Sequence, residues 1–549
     1  MTEADAVVIG AGAGGGVVAK ELAVAGLRVV LLERGRFYRA DECRKDDLRN
    51  QRTTILGNNT GPDDEGNPRV AVDLAGKAHI VLPSQGPYSN NAACVGGGTA
   101  TYGAMAWRFH PKDFRMKSEY GCPEGSTLDD WPISYDDLEP YYEKAETEIG
   151  VSGDDSNNPF RGPRRKPLPM PPLAPTREHR LLDAAARRLG LHPFHIPMAR
   201  NSVPYNGRPG CMRCRWCVGF LCEVNAKCGT QNTVIPTALA SGNCELRTGT
   251  MVKEILLDDR GRATGVAYFD EHDRLQTQPA ELVVVSASAV ETARLLLNTK
   301  HRLFPNGLGN RCGWVGRNFQ GHTYSGAIGR FEEEVYDDLG PGAGIAISDY
   351  NHGNPGLRGG AVLCNEFIRL PIQFVAMLPP GVPRWGAGHK NTMRALYRRT
   401  IAVQGPTQEM PMFDSRIDVD PGVKDRWGIP VARISGGRHP HTLEIARAMI
   451  EKASAWLREA GAVEVWKKIP GQGVSGGQHQ AGTCRMGNDP KTSVTNRYGQ
   501  IHDVPNVFVA DGSLHVTNGG FNPALTIMAL AYHGSDYMVK TWKGTRFRA

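Results

Sequence analysis

The segment DAVVIGAGAGG, residues 5–15, decides the fold of the first part of the chain. Its apolar start predicts a buried strand, and its glycines lead into a stretch with helical spacing that ends near Ala25. A second apolar run over 27–33 predicts the next parallel strand, which ends at Glu33. This order of strand, glycine-rich turn, helix and strand is typical of a dinucleotide-binding βαβ unit.

Each special position of this unit has a chemical reason. Gly10 allows the tight turn, Gly12 lets a pyrophosphate approach the backbone, and Gly15 lets the helix pack closely on the strand. The helix N-terminus attracts the phosphates, and Glu33 can accept hydrogen bonds from a ribose diol. The unit therefore predicts a bound dinucleotide, although by itself it does not decide between NAD and FAD.

The remaining segments predict an α/β fold with a β-rich insertion. Runs at 282–286 and 507–510 continue the parallel sheet, and a helix over 289–299 follows the first of them. Alternating segments later in the chain predict an antiparallel sheet. These segments are 361–367, 373–378, 401–405 and 416–419. We expect a parallel-sheet domain built from both ends of the chain, and a second domain on an antiparallel sheet flanked by helices.

Composition and charge exclude several classes of protein. The chain has 549 residues, of which 40% are hydrophobic and 22% charged, an ordinary globular balance. The excess of basic over acidic residues, 64 − 57 = +7, is spread along the chain and is too dilute to indicate nucleic-acid binding. No apolar run is long enough for a membrane span, and the early strand leaves no room for a signal peptide. We expect a cytoplasmic enzyme.

Further motifs follow the fingerprint along the chain. They are VGGGTATYG at 95–103, VVVSASAVETARLLL at 283–297, VGRN at 315–318, HQAGTCRMG at 479–487 and VFVADGSLHVTNGGFNPALTIM at 507–528. With them, the sequence resembles the glucose–methanol–choline (GMC) flavoprotein oxidoreductases over nearly its full length. It is most similar to the bacterial branch of gluconate, glucose and glycoside dehydrogenases or oxidases.

The resemblance implies a Rossmann-like FAD-binding domain and a substrate-binding domain. The first is expected to comprise 1–110, 200–330 and 470–549, and the second 111–199 and 331–469.

The resemblance also implies how FAD is held. The family loop that passes over the flavin corresponds to Gly97, Gly98 and Thr99, backbone at Val252 lies where the family holds adenine, and Asp511 matches an acid that contacts the flavin. In the family, a His shortly after the loop can bond the flavin covalently. Residues 99–102 contain no His, so the resemblance implies non-covalent FAD.

A catalytic pair is implied as well. His479 matches the family's base, and Asn522 matches the second member of the pair. An imidazole exchanges a proton near neutral pH, which suits the role of base. Asn522 as N-cap and Pro523 as first helical residue predict a helix to about Val539, whose positive end would stabilise reduced flavin. We interpret three other histidines as structural: His515 as flavin-side packing, His322 as a loop contact and His533 as helix surface.

We therefore expect FAD-dependent oxidation of an alcohol group on a sugar, glycoside or polyol, with proton removal by His479 and hydride transfer to flavin N5. Trp107 and Gln404 are the candidates for the substrate pocket. The alternatives are a GMC enzyme for a non-sugar alcohol (aminocyclitol, sterol-like or aromatic) and a non-catalytic electron-transfer subunit. The electron acceptor is O₂ or a redox partner.

A cysteine-rich segment leaves three interpretations open. Its closely spaced members are Cys211, Cys214, Cys217 and Cys222, followed by Cys228. Thiolates at such spacing ligate iron–sulfur clusters, and some sugar dehydrogenases of the wider family are thought to carry one in this region, although with another spacing. Zinc is the second interpretation. We favour the third, a compact loop with buried thiols or disulfide pairs, and assign no metal.

Overall fold

The computed structural model describes residues 4–42, 45, 61–63, 65–89, 92–475 and 479–545. The strands, in chain order, are β1 Ala4–Ile9, β2 Val29–Leu32, β3 Arg69–Val72, β4 Ala78–Val81, β5 Ser152–Asp154, β6 Phe194–Met198, β7 Cys244–Arg247, β8 Met251–Leu257, β9 Ala263–Phe269, β10 Leu275–Val285, β11 Thr323–Arg330, β12 Ile345–Ile347, β13 Leu363–Asn365, β14 Thr400–Thr407, β15 Arg416–Lys424, β16 Pro430–Ser435, β17 Glu464–Lys468 and β18 Val507–Val509. The helices are α1 Ala13–Val24, α2 Gly98–Thr101, α3 Met116–Tyr120, α4 Tyr135–Ile149, α5 Arg177–Arg188, α6 Val234–Ala240, α7 Ser288–Asn298, α8 Pro371–Phe374, α9 Gly386–Leu396, α10 Pro440–Glu459 and α11 Ala524–Thr545.

The first sheet has the order β7-β2-β1-β10-β9-β8, and β18 pairs with β10. Pairing is parallel among β7, β2, β1, β10 and β18, as the apolar runs predict. The long strand β10 serves two partners, because residues 275–279 run antiparallel to β9 and residues 280–285 run parallel to β1. The predicted α/β fold class is therefore confirmed.

The second sheet has the order β17-β11-β14-β13-β12-β6-β5, and its neighbours pair antiparallel. Helix α10 packs on β11, β14 and β17, which places its buried Trp456 in the core beneath this sheet. Strand β11 falls within the range that we expected in the first domain. It lies in the second sheet because all its residues pair with β14, from Thr323 opposite Thr407 to Arg330 opposite Thr400.

Two expected strands of the insertion differ in the structure. Residues 373–377 are helical, in α8 and the short 3₁₀ turn Val375–Met377, because Pro371 suits a first helical turn and so short an apolar run does not fix the period. Strand β15 belongs instead to a separate sheet of order β15-β16-β3-β4.

The carboxyl ends of β1, β10 and β18 meet at one edge of the first sheet, because these strands are parallel neighbours. Gly10, Ser286 and Asp511 follow the three strands at or near these ends and are thereby brought together. Helix α11 packs on α1 and α4 and continues to Thr545, beyond the expected end near Val539.

Candidate active site

A cavity of about 620 Å³ begins at this edge and extends to the second sheet. The sequence-predicted residues in its wall are Gly10, Gly12, Glu33, Gly97, Gly98, Thr99, Val252, Gln404, His479, Asp511, Asn522 and Pro523. Two predicted residues are not part of the wall. Gly15 lies against Gly10 at the end of the cavity formed by the glycine fingerprint, and Trp107 hydrogen-bonds to Asn522 at the opposite end. One cavity therefore runs from the glycine fingerprint to the predicted catalytic pair.

The fingerprint glycines have distinct roles. Gly10 has φ +100°, and a Cβ there would lie 2.3 Å from the Ser286 carbonyl oxygen. A Cβ on Gly15 would lie 1.9 Å from the Gly10 carbonyl oxygen, so the close packing of α1 on β1 requires glycine. At Gly12 a Cβ would meet no atom within 4 Å. Gly12 is also the N-cap of α1 and has no side chain to cap it, which leaves the first N–H groups to a ligand.

Glu33 is buried at the end of β2. Its Oε2 accepts a hydrogen bond from Ala11 N at 2.8 Å, and its Oε1 accepts one from Gly35 N at 2.8 Å. Burial raises the pKa of Glu33, and these backbone donors partly oppose that rise. The carboxylate is thus held rigidly at the fingerprint end of the cavity, with lone pairs left for further donors.

The carboxylate of Asp511 joins two elements at the cavity wall. Its Oδ2 accepts hydrogen bonds from Ser288 N at 2.9 Å and Thr292 Oγ1 at 2.6 Å, both on α7. Its Oδ1 accepts one from Ser513 N at 2.8 Å. Burial raises the pKa of Asp511, and these donors oppose that rise. The side chain therefore fixes the end of β18 against α7.

Two residues far apart in sequence meet at the opposite end of the cavity. His479 Nε2 lies 3.4 Å from Asn522 Nδ2, although 43 positions separate the residues. His479 has φ +61°, a left-handed conformation that few non-glycine residues adopt and that the surrounding contacts must hold. Helix α11 begins at Ala524, and Pro523 O accepts its first hydrogen bond from Ile527 N at 2.9 Å. Pro523 therefore precedes the helix rather than opening it, because its carbonyl serves as the N-cap acceptor.

Trp107 supports Asn522 instead of lining the cavity. Its ring is buried between Phe194 and Phe521, and its Nε1 donates to Asn522 Oδ1 at 2.9 Å. Since an indole N–H can only donate, Oδ1 of Asn522 must face Trp107. The amide nitrogen is thereby turned to Tyr324 OH, at 3.0 Å, and to His479.

A polar wall continues from Asn522 along the second sheet. Tyr324 on β11 and Gln404 on β14 line it, and Lys468 Nζ donates to Gln404 Oε1 at 3.2 Å. Glu366 and Arg369 form an ion pair of 2.9 Å in the same wall. Gln404 therefore lies in the wall of the cavity, and its contact with a substrate stays a prediction.

Two residues that sequence reasoning missed lie beside His479. His322 Nδ1 is 2.9 Å from His479 Nδ1, so His322 is a partner of His479 rather than a loop contact. Tyr324 follows two residues later, at the start of β11. The sequence held one signal for both residues, because His322 and Tyr324 follow shortly after the VGRN motif at 315–318. His533, expected on a helix surface, is buried between Tyr141 and Tyr498.

Comparison with known proteins identifies the family. A model described as GMC oxidoreductase matches residues 5–324, and a second model with the same description matches residues 411–531. The chain belongs to the GMC oxidoreductase family. It is therefore an FAD-dependent alcohol oxidoreductase, and the sequence-based identification is confirmed.

Several relatives match this GMC oxidoreductase over nearly their full length. The gluconate 2-dehydrogenase flavoprotein of Pantoea cypripedii is 30% identical over 97% of this chain and 93% of its own. The 2-methyl-1,2-propanediol dehydrogenase of Mycolicibacterium austroafricanum is 32% identical, over 98% and 95%. Paromamine 6'-oxidase of Streptomyces fradiae is 30% identical, over 96% and 90%. A solved formate oxidase of Aspergillus oryzae shares the fold, with a TM-score of 0.65 at 15% identity over 100% and 99% of the chains.

The cavity of this GMC oxidoreductase fits FAD. The uncapped start of α1 suits a pyrophosphate, and the space at Gly12 lets it reach the backbone. A Cβ on Gly97 would lie 3.0 Å from Gly12 Cα, so the loop over the fingerprint has room only for glycine. Glu33 stands at the position expected for ribose recognition. The donor set and the shape therefore agree with the cofactor of the family.

The cysteine-rich segment holds free thiols in the structure. Cys211, Cys214, Cys217, Cys222 and Cys228 form no disulfide. Burial raises the pKa of Cys217 to about 11 and also raises that of Cys214, which favours protonated thiols over thiolates at neutral pH. Among the described residues, no three His, Cys, Asp or Glu side chains are placed to hold a metal ion. A further cysteine, Cys43, lies outside the residues that the structure describes.

Within the described ranges, no helix of this GMC oxidoreductase is both long and apolar enough to cross a membrane.

Proposed function

We propose that this GMC oxidoreductase oxidises an alcohol group of a sugar, glycoside or polyol to a carbonyl, with His479 as the base. The observation that carries the proposal is the approach of His479 Nε2 and Asn522 Nδ2, 3.4 Å apart in the cavity wall. Bound FAD supplies the hydride acceptor, its flavin N5. The chain's own residues supply the proton acceptor and the donor that orients the reacting hydroxyl.

The two side chains divide this work. His479 Nε2 takes the hydroxyl proton, because imidazole is the side chain most often used as a general base in proton transfer. Asn522 Nδ2 donates to the same oxygen and stabilises the negative charge that develops as the proton leaves. The contacts of Asn522 with Trp107 and Tyr324 keep its amide in the required orientation.

The polar wall supports a substrate with several hydroxyl groups. Tyr324, Gln404 and the pair Glu366–Arg369 offer both donors and acceptors along the cavity. The names of two relatives, a gluconate dehydrogenase and a paromamine oxidase, point to similar polyhydroxylated compounds. A non-sugar alcohol is the second candidate, supported by the relative named for a small diol.

An anaerobic spectral titration tests this proposal. We expect the flavin bands of the purified protein to bleach with a member of a panel of sugars, sugar acids, glycosides and amino sugars. Bleaching only by simple diols or aromatic alcohols would favour the second candidate. Readmitting air then separates O₂ from a redox partner as the electron acceptor. Flavin bands that no alcohol bleaches would contradict the proposed reaction.

Two cofactor questions are tested on the same sample. We propose that FAD is bound without a covalent link, since no His follows the loop within residues 99–102. Acid precipitation should then release the yellow cofactor into the supernatant. Iron and sulfide analysis tests the alternative that the cysteine-rich segment carries an iron–sulfur cluster, which would also give a broad brown shoulder.

We also propose the two-domain division that the resemblance implies, with the domain boundary shifted so that β11 belongs to the substrate-binding domain. We further propose a cytoplasmic location, which cell fractionation would test.

A further inference from the structure

We infer that His322 is a positioning residue that holds His479 in the tautomer with its proton on Nδ1, so that the lone pair of Nε2 faces the substrate. The inference rests on the proposed role of His479 as base. It assigns a function to the buried side chain of His322, which is not a member of the catalytic pair. Donor and acceptor assignments on both sides of His479 lead to it independently.

The first assignment starts from His322. Its Nε2 lies 3.0 Å from Asn518 O and 2.9 Å from Gly519 O. Both partners are carbonyl oxygens, which only accept, so His322 Nε2 must carry a proton. Burial lowers the pKa of His322 and favours the neutral ring. Its Nδ1 is then a lone-pair acceptor, and His479 Nδ1, 2.9 Å away, must be the donor.

The second assignment starts from Trp107, on the opposite side. Its indole N–H fixes Oδ1 of Asn522 and turns the amide N–H₂ towards His479 Nε2. An N–H group at that position requires Nε2 of His479 to accept. Both assignments therefore give His479 the same tautomer, with Nδ1 protonated and Nε2 unprotonated.

The backbone around the two histidines keeps this geometry. Asn518 Nδ2 donates to His479 O at 2.7 Å and to Gly321 O at 2.9 Å. The Asn518 side chain thus holds both Gly321, the residue before His322, and His479, while the Asn518 carbonyl accepts a hydrogen bond from His322 Nε2. The two rings meet nearly perpendicular, at 82°, with centroids 5.0 Å apart. This arrangement lets the nitrogen of one ring point at the nitrogen of the other.

The arrangement has a consequence for the proton transfer. When His479 Nε2 takes the substrate proton, the ring becomes a cation, and its Nδ1–H still points at the neutral acceptor His322. No side chain needs to rotate during the step, and the cation keeps a hydrogen bond that strengthens as charge develops. Without an acceptor at Nδ1, the other tautomer of His479 becomes accessible, and in it Nε2 cannot accept a proton.

A matched pair of variants tests the inference. His322→Asn places an amide oxygen near the position of Nδ1 and keeps the acceptor, whereas His322→Gln places an amide N–H near the position of Nε2 and loses it. We expect His322→Gln to lower kcat by about 10²-fold with KM changed by less than about 3-fold, because the tautomer of a catalytic histidine is worth up to about 10⁴-fold. His322→Asn should stay within about 10-fold of the unmodified protein. Equal losses in the two variants would overturn the inference.

Nuclear magnetic resonance of ¹⁵N-histidine-labelled protein gives a readout that does not depend on turnover. We expect His479, identified by comparison with His479→Ala, to show a protonated Nδ1 and an unprotonated Nε2, with a downfield Nδ1–H resonance that His322→Gln removes. A proton on Nε2 of the resting enzyme would overturn the inference. The His479→Ala variant separates the two proposals. If His479→Ala reduces flavin normally, the proposed function fails. If His479→Ala is inactive but His322→Gln reduces flavin normally, only the inferred role of His322 is refuted.

Discussion

The two ends of the cavity are built in different ways. The fingerprint end is centred on one unbroken βαβ unit, which supplies Gly10, Gly12, Gly15 and Glu33. The catalytic end brings together Trp107, His322, His479 and Asn522 from four separate segments, and a chain of side-chain hydrogen bonds joins them. Changes at the first end should therefore act on folding and cofactor binding, while changes at the second should act on rate.

The largest effect is expected for His479→Ala. Loss of the base should slow flavin reduction by about 10³-fold or more. The fingerprint end is untouched, so the variant should still purify with FAD. Anaerobic stopped-flow absorbance and the FAD-to-protein ratio measure the two properties. A variant that also loses FAD would show that the two ends are not independent.

Asn522→Ala should have a smaller effect, of about 10- to 10²-fold on flavin reduction, because a hydrogen-bond donor is lost and the base remains. Asn522→His, which offers a ring N–H to the same oxygen, is the matched control and should retain more activity. The measurement is again single-turnover reduction. A loss in Asn522→Ala as large as that in His479→Ala would mean that Asn522 takes part in the proton transfer itself.

Two alanine substitutions sharpen the description of the fingerprint end. Gly15→Ala puts a Cβ against the Gly10 carbonyl oxygen and should lower the free energy of unfolding by about 1–3 kcal/mol. Gly12→Ala meets open space and should leave the FAD-free protein as stable as before, yet weaken FAD binding by roughly 10-fold or more, because the methyl group occupies the path of the pyrophosphate. Thermal unfolding and a fluorescence titration with FAD separate the two effects. Similar behaviour of both variants would contradict these roles.

The smallest effect is expected for Trp107→Phe. The ring still packs between Phe194 and Phe521, but Asn522 Oδ1 loses its donor. One hydrogen bond of about 1 kcal/mol corresponds to a roughly 5-fold decrease in kcat. Steady-state kinetics over a substrate range provide the test. A rise in KM at constant kcat would instead return Trp107 to direct substrate contact.

Local sequence order was enough to predict most of the fold. The first βαβ unit and the long helices have hydrophobic periods that decide between helix and strand over many residues. The run at 373–378 was predicted wrongly because six residues with a nearby proline fit either structure. The sheet that contains β15 could not be predicted either, since its hairpin partner β16 pairs in turn with β3, more than three hundred residues earlier in the chain.

The site was only partly accessible to sequence reasoning. His479 and Asn522 lie in motifs, and the resemblance transfers their roles as predictions. His322 and Tyr324 could not be chosen from sixteen histidines and sixteen tyrosines, because their significance comes from contacts that only the folded chain creates. Trp107 was placed in the right region but on the wrong side of Asn522, since a sequence does not record in which direction an indole points.

The pairing of β18 with the middle of the first sheet sets the order of events during synthesis. β18 and Asp511 belong to the segment 507–528, whereas their partners in β10 and α7 leave the ribosome more than two hundred residues earlier. The nascent chain must therefore wait with an incomplete sheet until this late segment emerges. Stable uptake of the flavin nucleotide should follow, rather than accompany, translation of the fingerprint.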